Sequence, residues 1–360
     1  MLQSVTFFKM RNRFHRLIFK IHSYTGIVSG IALLLIGISG SILVFSHELE
    51  SFVYNDLLVS AGNGSRISLD SALVIARNTF PEMDFVGFNE LPQSHQATFQ
   101  FFMMDDGIQY KAFIDPFTGT LLHSGERYDH IADWLLIFHY TFAVPVWGDL
   151  AVAVLSITMI ISLLTGIVVY RKYIGKVLQF KVKFDFKNWR KGSSSLHRII
   201  GVWSLLFMLM MAITAFLMMK YAFTETNFDR EHWKFKSGPI HFSIDKTLEG
   251  IKKKYPSYHA VEFFLPTQTD SLSYIAGYID EPSFLFGDYN DQIIFDGKNF
   301  QASFVSDKPN AEKFSALIFP LHSGHYGGMI VKIVYCISGF IPGILCVTGI
   351  LLWLRRKKNR

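Results

Sequence analysis

Four stretches of this chain are too long and too apolar to be anything but helices in a lipid bilayer. They run from Ile27 to Phe45, Trp134 to Tyr170, Ile199 to Met219 and Leu317 to Leu354. About 20 apolar residues cross a membrane as a helix. Lipid offers the backbone no hydrogen bonds, so each crossing must satisfy its own. The second stretch has 37 residues, roughly 55 Å as a helix, against a hydrocarbon core of about 30 Å. It is expected to tilt or break, near Pro145 and Gly148. Composition agrees: half of the 360 residues are hydrophobic, 35 are Phe and 18% are charged.

The net charge of +6 lies beside the apolar stretches, so it reports membrane topology rather than nucleic-acid binding. Residues 171–198 carry nine Lys or Arg against one acid, Asp185, and both chain ends are basic. The positive-inside rule puts these three clusters in the cytoplasm. The first apolar stretch is a full span with no small-residue cleavage site after it, so it reads as a retained helix. Cys336 and Cys346 are ten residues apart in one helix, roughly 15 Å along its axis. That is beyond disulfide reach. There is no CxxC and no CxxCH, which argues against thiolate zinc and covalently attached haem.

Between the spans the chain turns polar. Ser68 to Pro81 reads as a capped amphipathic helix, followed by alternating strands and a turn at Asp115-Pro-Phe-Thr-Gly119. Ser243 to Pro256 and the strands after it repeat the pattern. The expected organisation is an N-terminal segment with the first span (1–50), a module (51–130), the second span (131–172) and a basic loop (173–196). A third span (197–221), a second module (222–316), a fourth span (317–354) and a basic tail (355–360) follow. The fold class is an α-helical membrane protein with four long transmembrane helices and two small α+β extracytoplasmic modules.

The chain contains one helix–module–helix unit twice. His139 stands 27 residues before Gly166 of Thr165-Gly166-Ile167, and His322 stands 27 before Gly349 of Thr348-Gly349-Ile350. Tyr170 and Trp353 follow, then basic residues. The first spans also align: His22 and Gly26 with His197 and Gly201, Ser39-Gly40 with Thr214-Ala215, and Glu50 with Glu225. Leu91-Pro92 matches Leu265-Pro266. Functional sites of repeated membrane proteins often lie at the repeat interface.

An imidazole deep in lipid is costly without a partner. Duplication gives two pairs: His22 with His197 at the cytoplasmic helix starts, and His139 with His322 toward the outer face. Imidazole binds haem iron through one nitrogen while a second partner orients the other. Two facing histidines can clamp a b-type haem, with glycines leaving room for the flat ring. Arg16, Lys20 and Arg198 could meet haem propionates. Two haem b groups, one near each face, would form an electron path, since a bis-histidine iron has no open position. The plain alternative for any single histidine is an interfacial side chain bonded to water, headgroup or backbone. His15, His47 and His325 stand as alternate ligands. Asp149 and Lys332 occupy equivalent positions and could pair across the repeat axis.

The chain resembles the PepSY-associated transmembrane-helix family of bacterial inner-membrane proteins. The residues are Ile21-His22 with Gly26, Leu196-His197-Arg198 with Gly201, His139 ahead of Thr165-Gly166, and Pro320-Leu-His322-Ser-Gly324 ahead of Thr348-Gly349. Ser68 to Pro81 and the Asp115–Gly119 turn look like a PepSY module; Asp296-Gly297 departs from that turn in the second. The resemblance implies two periplasmic PepSY-like modules. In its ferric-siderophore reductase branch it implies an oxidoreductase with two b haems that passes electrons to siderophore-bound iron, so that iron is released. No GxGxxG occurs, so the donor would be another protein, quinol or a soluble reductant. Other classes stay open: a siderophore or metal transporter with the histidines and the Asp149–Lys332 pair on its path, or a regulatory scaffold whose modules bind peptides.

Overall fold

The computed structural model describes the backbone of residues 2–185, 188–224, 235–281, 284–285, 291–296, 301–305 and 310–358. It describes their side chains apart from 2–12, 190, 301–313 and 358. In chain order the first unit comprises α1 (Leu2–Leu43), α2 (Ser46–Val53), α3 (Asn55–Leu58), α4 (Leu69–Thr79), β1 (Asp84–Glu90), β2 (Phe99–Asp105), β3 (Ile108–Ile114), β4 (Leu121–Glu126), α5 (Ile131–Thr141) and α6 (Trp147–Leu178). The second comprises α7 (Trp189–Trp203), α8 (Leu205–Met219), α9 (Ile244–Lys254), β5 (Tyr258–Phe264), β6 (Leu272–Ile279), β7 (Asp291–Asp296), β8 (Gln301–Val305), α10 (Asn310–Ser323), α11 (Gly328–Ser338) and α12 (Ile341–Lys358). Glu225, matched with Glu50 in the repeat, lies outside the described residues.

Among the described residues, four helical segments are long and apolar enough to span a bilayer: Arg13–Leu43, Trp147–Leu178, Leu205–Phe223 and Gly328–Lys357. This is a multi-pass membrane protein. α1 packs on α6 and α12, and α8 packs on α6 and α10. The apolar stretch from Trp134 is two helices. Phe142 and Ala143 turn left-handed after α5, with φ of 52° and 57°. The chain then folds so tightly that a Cβ on Gly148 would lie 1.6 Å from the Thr141 carbonyl oxygen. Pro145 adds the missing N–H that keeps the helix from continuing. α10 breaks in the same place of its copy, with Gly324 at φ 74°. α5 and α10 are therefore short helices set ahead of their spans, and each carries one of the outer histidines in its last turn.

The extramembrane part corrects the expectation of two separate modules. Among the described residues the strands form one antiparallel sheet, in the order β4-β3-β2-β1-β5-β6-β7-β8. The join is β1 against β5, with Gly87 opposite Phe264 and Phe88 opposite Phe263. Two bonds flank it symmetrically: Leu91 N–H donates to Val261 O (2.6 Å) and Leu265 N–H to Val86 O (2.8 Å). A Cβ on Gly87 would stand 2.0 Å from the Phe263 carbonyl oxygen. The physical reason is the first strand of each copy. Alone, it would present an unpaired edge, and two such edges related by a pseudo-two-fold satisfy each other.

The helices over the sheet are joined in the same way. Ser68 caps α4 and Ser243 caps α9, each accepting from the amide three residues on. Asp245 then accepts from Leu69 N–H (3.1 Å) and Asp70 N–H (2.9 Å). Asp70 accepts from Ile244 N–H (2.7 Å) and from the Ser243 hydroxyl. Each helix start thus has its free amides served by the other copy's carboxylate. The core is likewise shared: Phe85, Phe88 and Phe101 from one copy cluster with Ile244, Phe263 and Phe295 from the other. The sheet is tied to α5 by a buried ion network in which Asp133 meets Lys111 (2.5 Å) and Arg127 (2.7 Å), while Lys111 also reaches Glu50 (3.4 Å).

Candidate functional site: two histidine pairs

His22 lies in α1 and His197 in α7, and their ring centres are 6.3 Å apart at 77°. His139 at the end of α5 and His322 at the end of α10 have ring centres 6.1 Å apart at 60°. Each pair takes one histidine from each repeat. His139 packs on Ser39 and Gly40 of α1. Ser39 is 17 residues beyond His22, which separates the pairs by about 26 Å along that helix.

All four imidazoles use the same nitrogen to hold themselves in place. Nδ1 of His22 meets the Ser162 carbonyl at 2.9 Å, and a carbonyl can only accept. Nδ1 of His139 meets Ser39 Oγ (3.0 Å), that of His197 meets Thr348 Oγ1 (2.9 Å) and that of His322 meets Thr214 Oγ1 (3.0 Å). Those three hydroxyls already donate their protons within their own helices. Ser39 donates to Ile36 O (3.0 Å), Thr348 to Ile344 O (2.7 Å) and Thr214 to Met210 O (2.9 Å). The hydroxyl oxygens are left to accept, so every Nδ1 carries the proton. Every Nε2 is left with its lone pair, the form in which a neutral imidazole binds a metal.

The inner pair borders a cavity of about 170 Å³ whose walls come from α1, α6, α7, α8 and α12. Glycines 26, 30, 166, 201 and 349 strip its walls of side chains. A Cβ on Gly166 would come within 3.2 Å of His22 Cε1, and one on Gly349 within 3.5 Å of His197 Cε1. The Tyr170 ring sits 6.0 Å from His22 and 5.8 Å from His197. Arg198 lines the cavity, its guanidinium 4.1 Å above the Tyr173 ring. Its Nε is a buried donor with no partner. A flat apolar group with an anionic edge would fit this donor set: the two imidazoles would hold its metal, the glycines would leave it room, and the unmet Arg198 N–H would meet its carboxylate. Among the described residues no three His, Cys, Asp or Glu are grouped to hold a bare metal ion. Two imidazoles suit a metal that brings its own equatorial ligands.

The remaining candidates lie elsewhere. His15 faces Arg171, which donates to its ring. His47 is exposed on α2. His325 rests beside Phe319, ring centres 6.2 Å apart, outside the outer pair. Arg16 and Lys20 are exposed on α1 and do not line the cavity. The Asp149–Lys332 pairing is corrected. Lys332 binds Glu48 at 2.5 Å. Asp149 accepts from Val146 N–H (3.0 Å) and from the Tyr221 hydroxyl (2.9 Å), and so caps α6. Each charge has its own partner, and in both cases the side-chain partner comes from the other copy, which removes the main sequence argument for a transport path. Sequence reading missed Ser39, Ser162, Thr214 and Thr348 as partners of the histidines, although Ser39 and Thr214 are repeat equivalents and Thr348 belongs to a repeated motif.

No curated protein matches the chain. The family model described as the PepSY-associated TM region matches residues 19–356. That span contains every helix and strand described above but the start of α1 and the end of α12, and the chain belongs to the PepSY-associated TM region family.

Proposed function

We propose that this protein carries electrons across a bacterial inner membrane through two b-type haems and reduces ferric siderophores on the side where the sheet lies. His22 and His197 would hold one haem, His139 and His322 the other. The observation that carries the reading is the common state of the four imidazoles, each with Nδ1–H spent on a fixed acceptor and Nε2 free. A bis-histidine haem supplies a one-electron couple with no open coordination position.

The chain's own part is positional and electrostatic. Ser162, Ser39, Thr348 and Thr214 fix the rings, so no imidazole must turn or change tautomer when charge moves. Arg198 offers its unmet N–H to a carboxylate at the rim. The apolar spans keep water from both pairs. The basic loop and ends face the cytoplasm in this reading, and electrons arrive there from a quinol, a partner protein or a soluble reductant. On the sheet side a ferric chelate loses its oxygen ligands more readily once its iron is ferrous.

The test is the purified protein in detergent. Two haems per chain and a Soret band that shifts with dithionite are expected. His22→Ala and His197→Ala should each remove one and the same haem, His139→Ala and His322→Ala the other. A colourless protein from haem-replete cells overturns the proposal.

A further inference from the structure

The two-fold plan of the sheet is broken at one place under its helices. A pocket of about 410 Å³ opens between the start of α4, α9 and the strand ends beside the seam, with Ile67, Leu91, Leu248 and Ala260 in its walls. The equivalent place in the other copy is full. Counted from the two capping serines, Phe242 stands there where Ile67 stands here, and Phe85 where Ala260 does. The Phe242 ring packs on Phe295, ring centres 5.0 Å apart, and Phe85 is buried with the Arg77 guanidinium over its ring. Segment 236–238 closes that place from outside. The Ser237 hydroxyl accepts from Phe85 N–H (3.1 Å), and Gly238 N–H donates to Pro266 O (2.8 Å). Its counterpart in the first copy, 61–63, is placed differently: a Cβ on Gly62 would meet the Phe117 ring at 2.6 Å.

The open pocket has cations in its wall, Arg66 and Lys252. The Arg66 guanidinium lies 5.0 Å from the centre of the Phe99 ring, and Nη1 donates to Ser94 O (3.0 Å). These contacts hold the group in place and use one of its five N–H donors. Lys252 is the counterpart of Arg77, with Ala260 where Arg77 has Phe85. The carboxylate in the wall, Asp245, is occupied by the Leu69 and Asp70 amides.

We propose that this pocket binds a small organic carboxylate, its apolar body among Ile67, Leu91 and Leu248 and its anionic group on Arg66 and Lys252. Apolar walls with a few convergent charged groups are what an organic ligand needs, and a guanidinium pairs with a carboxylate through two parallel N–H bonds. Loss of the aromatic plug from one copy gives one such site per chain. The inference does not rest on the haem reading.

The test is isothermal titration calorimetry of the full chain in non-ionic detergent with 3-phenylpropionate and with its neutral amide. The acid is expected to bind once per chain and about tenfold or more tighter than the amide, and Arg66→Gln and Lys252→Gln should each weaken the acid about tenfold and leave the amide unchanged. Ile67→Phe, which restores the plug residue of the other copy, should abolish binding of both. Melting temperatures without ligand report folding, and Lys252→Gln, on an exposed side chain, keeps the test open where another variant fails to fold. No saturable binding of the acid, equal affinity for acid and amide, or unchanged affinity in both charge variants overturns the proposal. Full affinity in Ile67→Phe does so too, since the acid then binds elsewhere.

Discussion

At the residue scale the informative atoms are the four Nδ1 nitrogens. The histidines themselves were legible because the chain repeats them at constant offsets. Their partners were not. Ser and Thr are common in apolar helices and usually bond the carbonyl a turn back, as Ser39, Thr214 and Thr348 do here. What the pattern could not tell is that the spare acceptor of each hydroxyl meets an imidazole from another helix. Removing that acceptor leaves the ring free to turn. On the proposed haem reading, Ser39→Ala combined with Thr214→Val is expected to lower retention of the haem at His139 and His322 about 10-fold or more and to leave the one at His22 and His197 in place. Haem per polypeptide after purification measures it.

At the element scale, breaks mattered more than spans. The excess length from Trp134, with Pro145 and Gly148, marked an interruption, and the structure puts α5 and α6 on either side of it. Asp149 was read as one half of a charge pair because the repeat aligned it with Lys332; its use is local, as the cap of α6. Strand β5 holds a half-buried acid, Glu262, that the sequence did not mark. Burial, and then the nearby Glu90 carboxylate, push the Glu262 carboxyl up to about 7. In the unfolded chain it would titrate near 4.5. The folded state therefore binds the extra proton between those values. Stability on this account is full below about 4.5, falls as pH rises through the interval, and stays lower above about 7. Glu262→Gln should flatten this slope and raise the melting temperature at pH 8 relative to the parent, while the two converge at pH 4.5. Thermal melts across that range in detergent decide it, and a parallel pH slope in the variant counts against it.

At the scale of the whole molecule, the sequence showed two units and the structure shows one sheet. Strand patterns mark which residues alternate, but they carry no sign of which edge meets which. The β1–β5 seam is backbone-made, and its clearest sequence mark is a single residue, Gly87, which lets the Phe263 carbonyl approach. Gly87→Val is expected to cost about 2 kcal/mol or more by forcing that seam apart, read as a lower melting temperature of the extramembrane part. For the same reason residues 55–126 expressed alone should lack a cooperative monomeric melt, since β1 and the start of α4 would lose their partners. A sharp monomeric transition would show that one copy suffices.

The seam, the crossed carboxylate caps and both histidine pairs share one property: each is made of equivalent parts from the two halves. A lone unit holds half of every site, and two copies around a two-fold axis would complete all of them, as in an isologous dimer. Joined in one polypeptide, the halves are free to diverge. In a homodimer a phenol at the Tyr335 position would appear on both flanks. Here one flank has Tyr335 where the other has Val152, and the other has Tyr140 where the first has Ser323. Fusion is thus what allows a molecule built on a symmetric plan to have two unlike flanks.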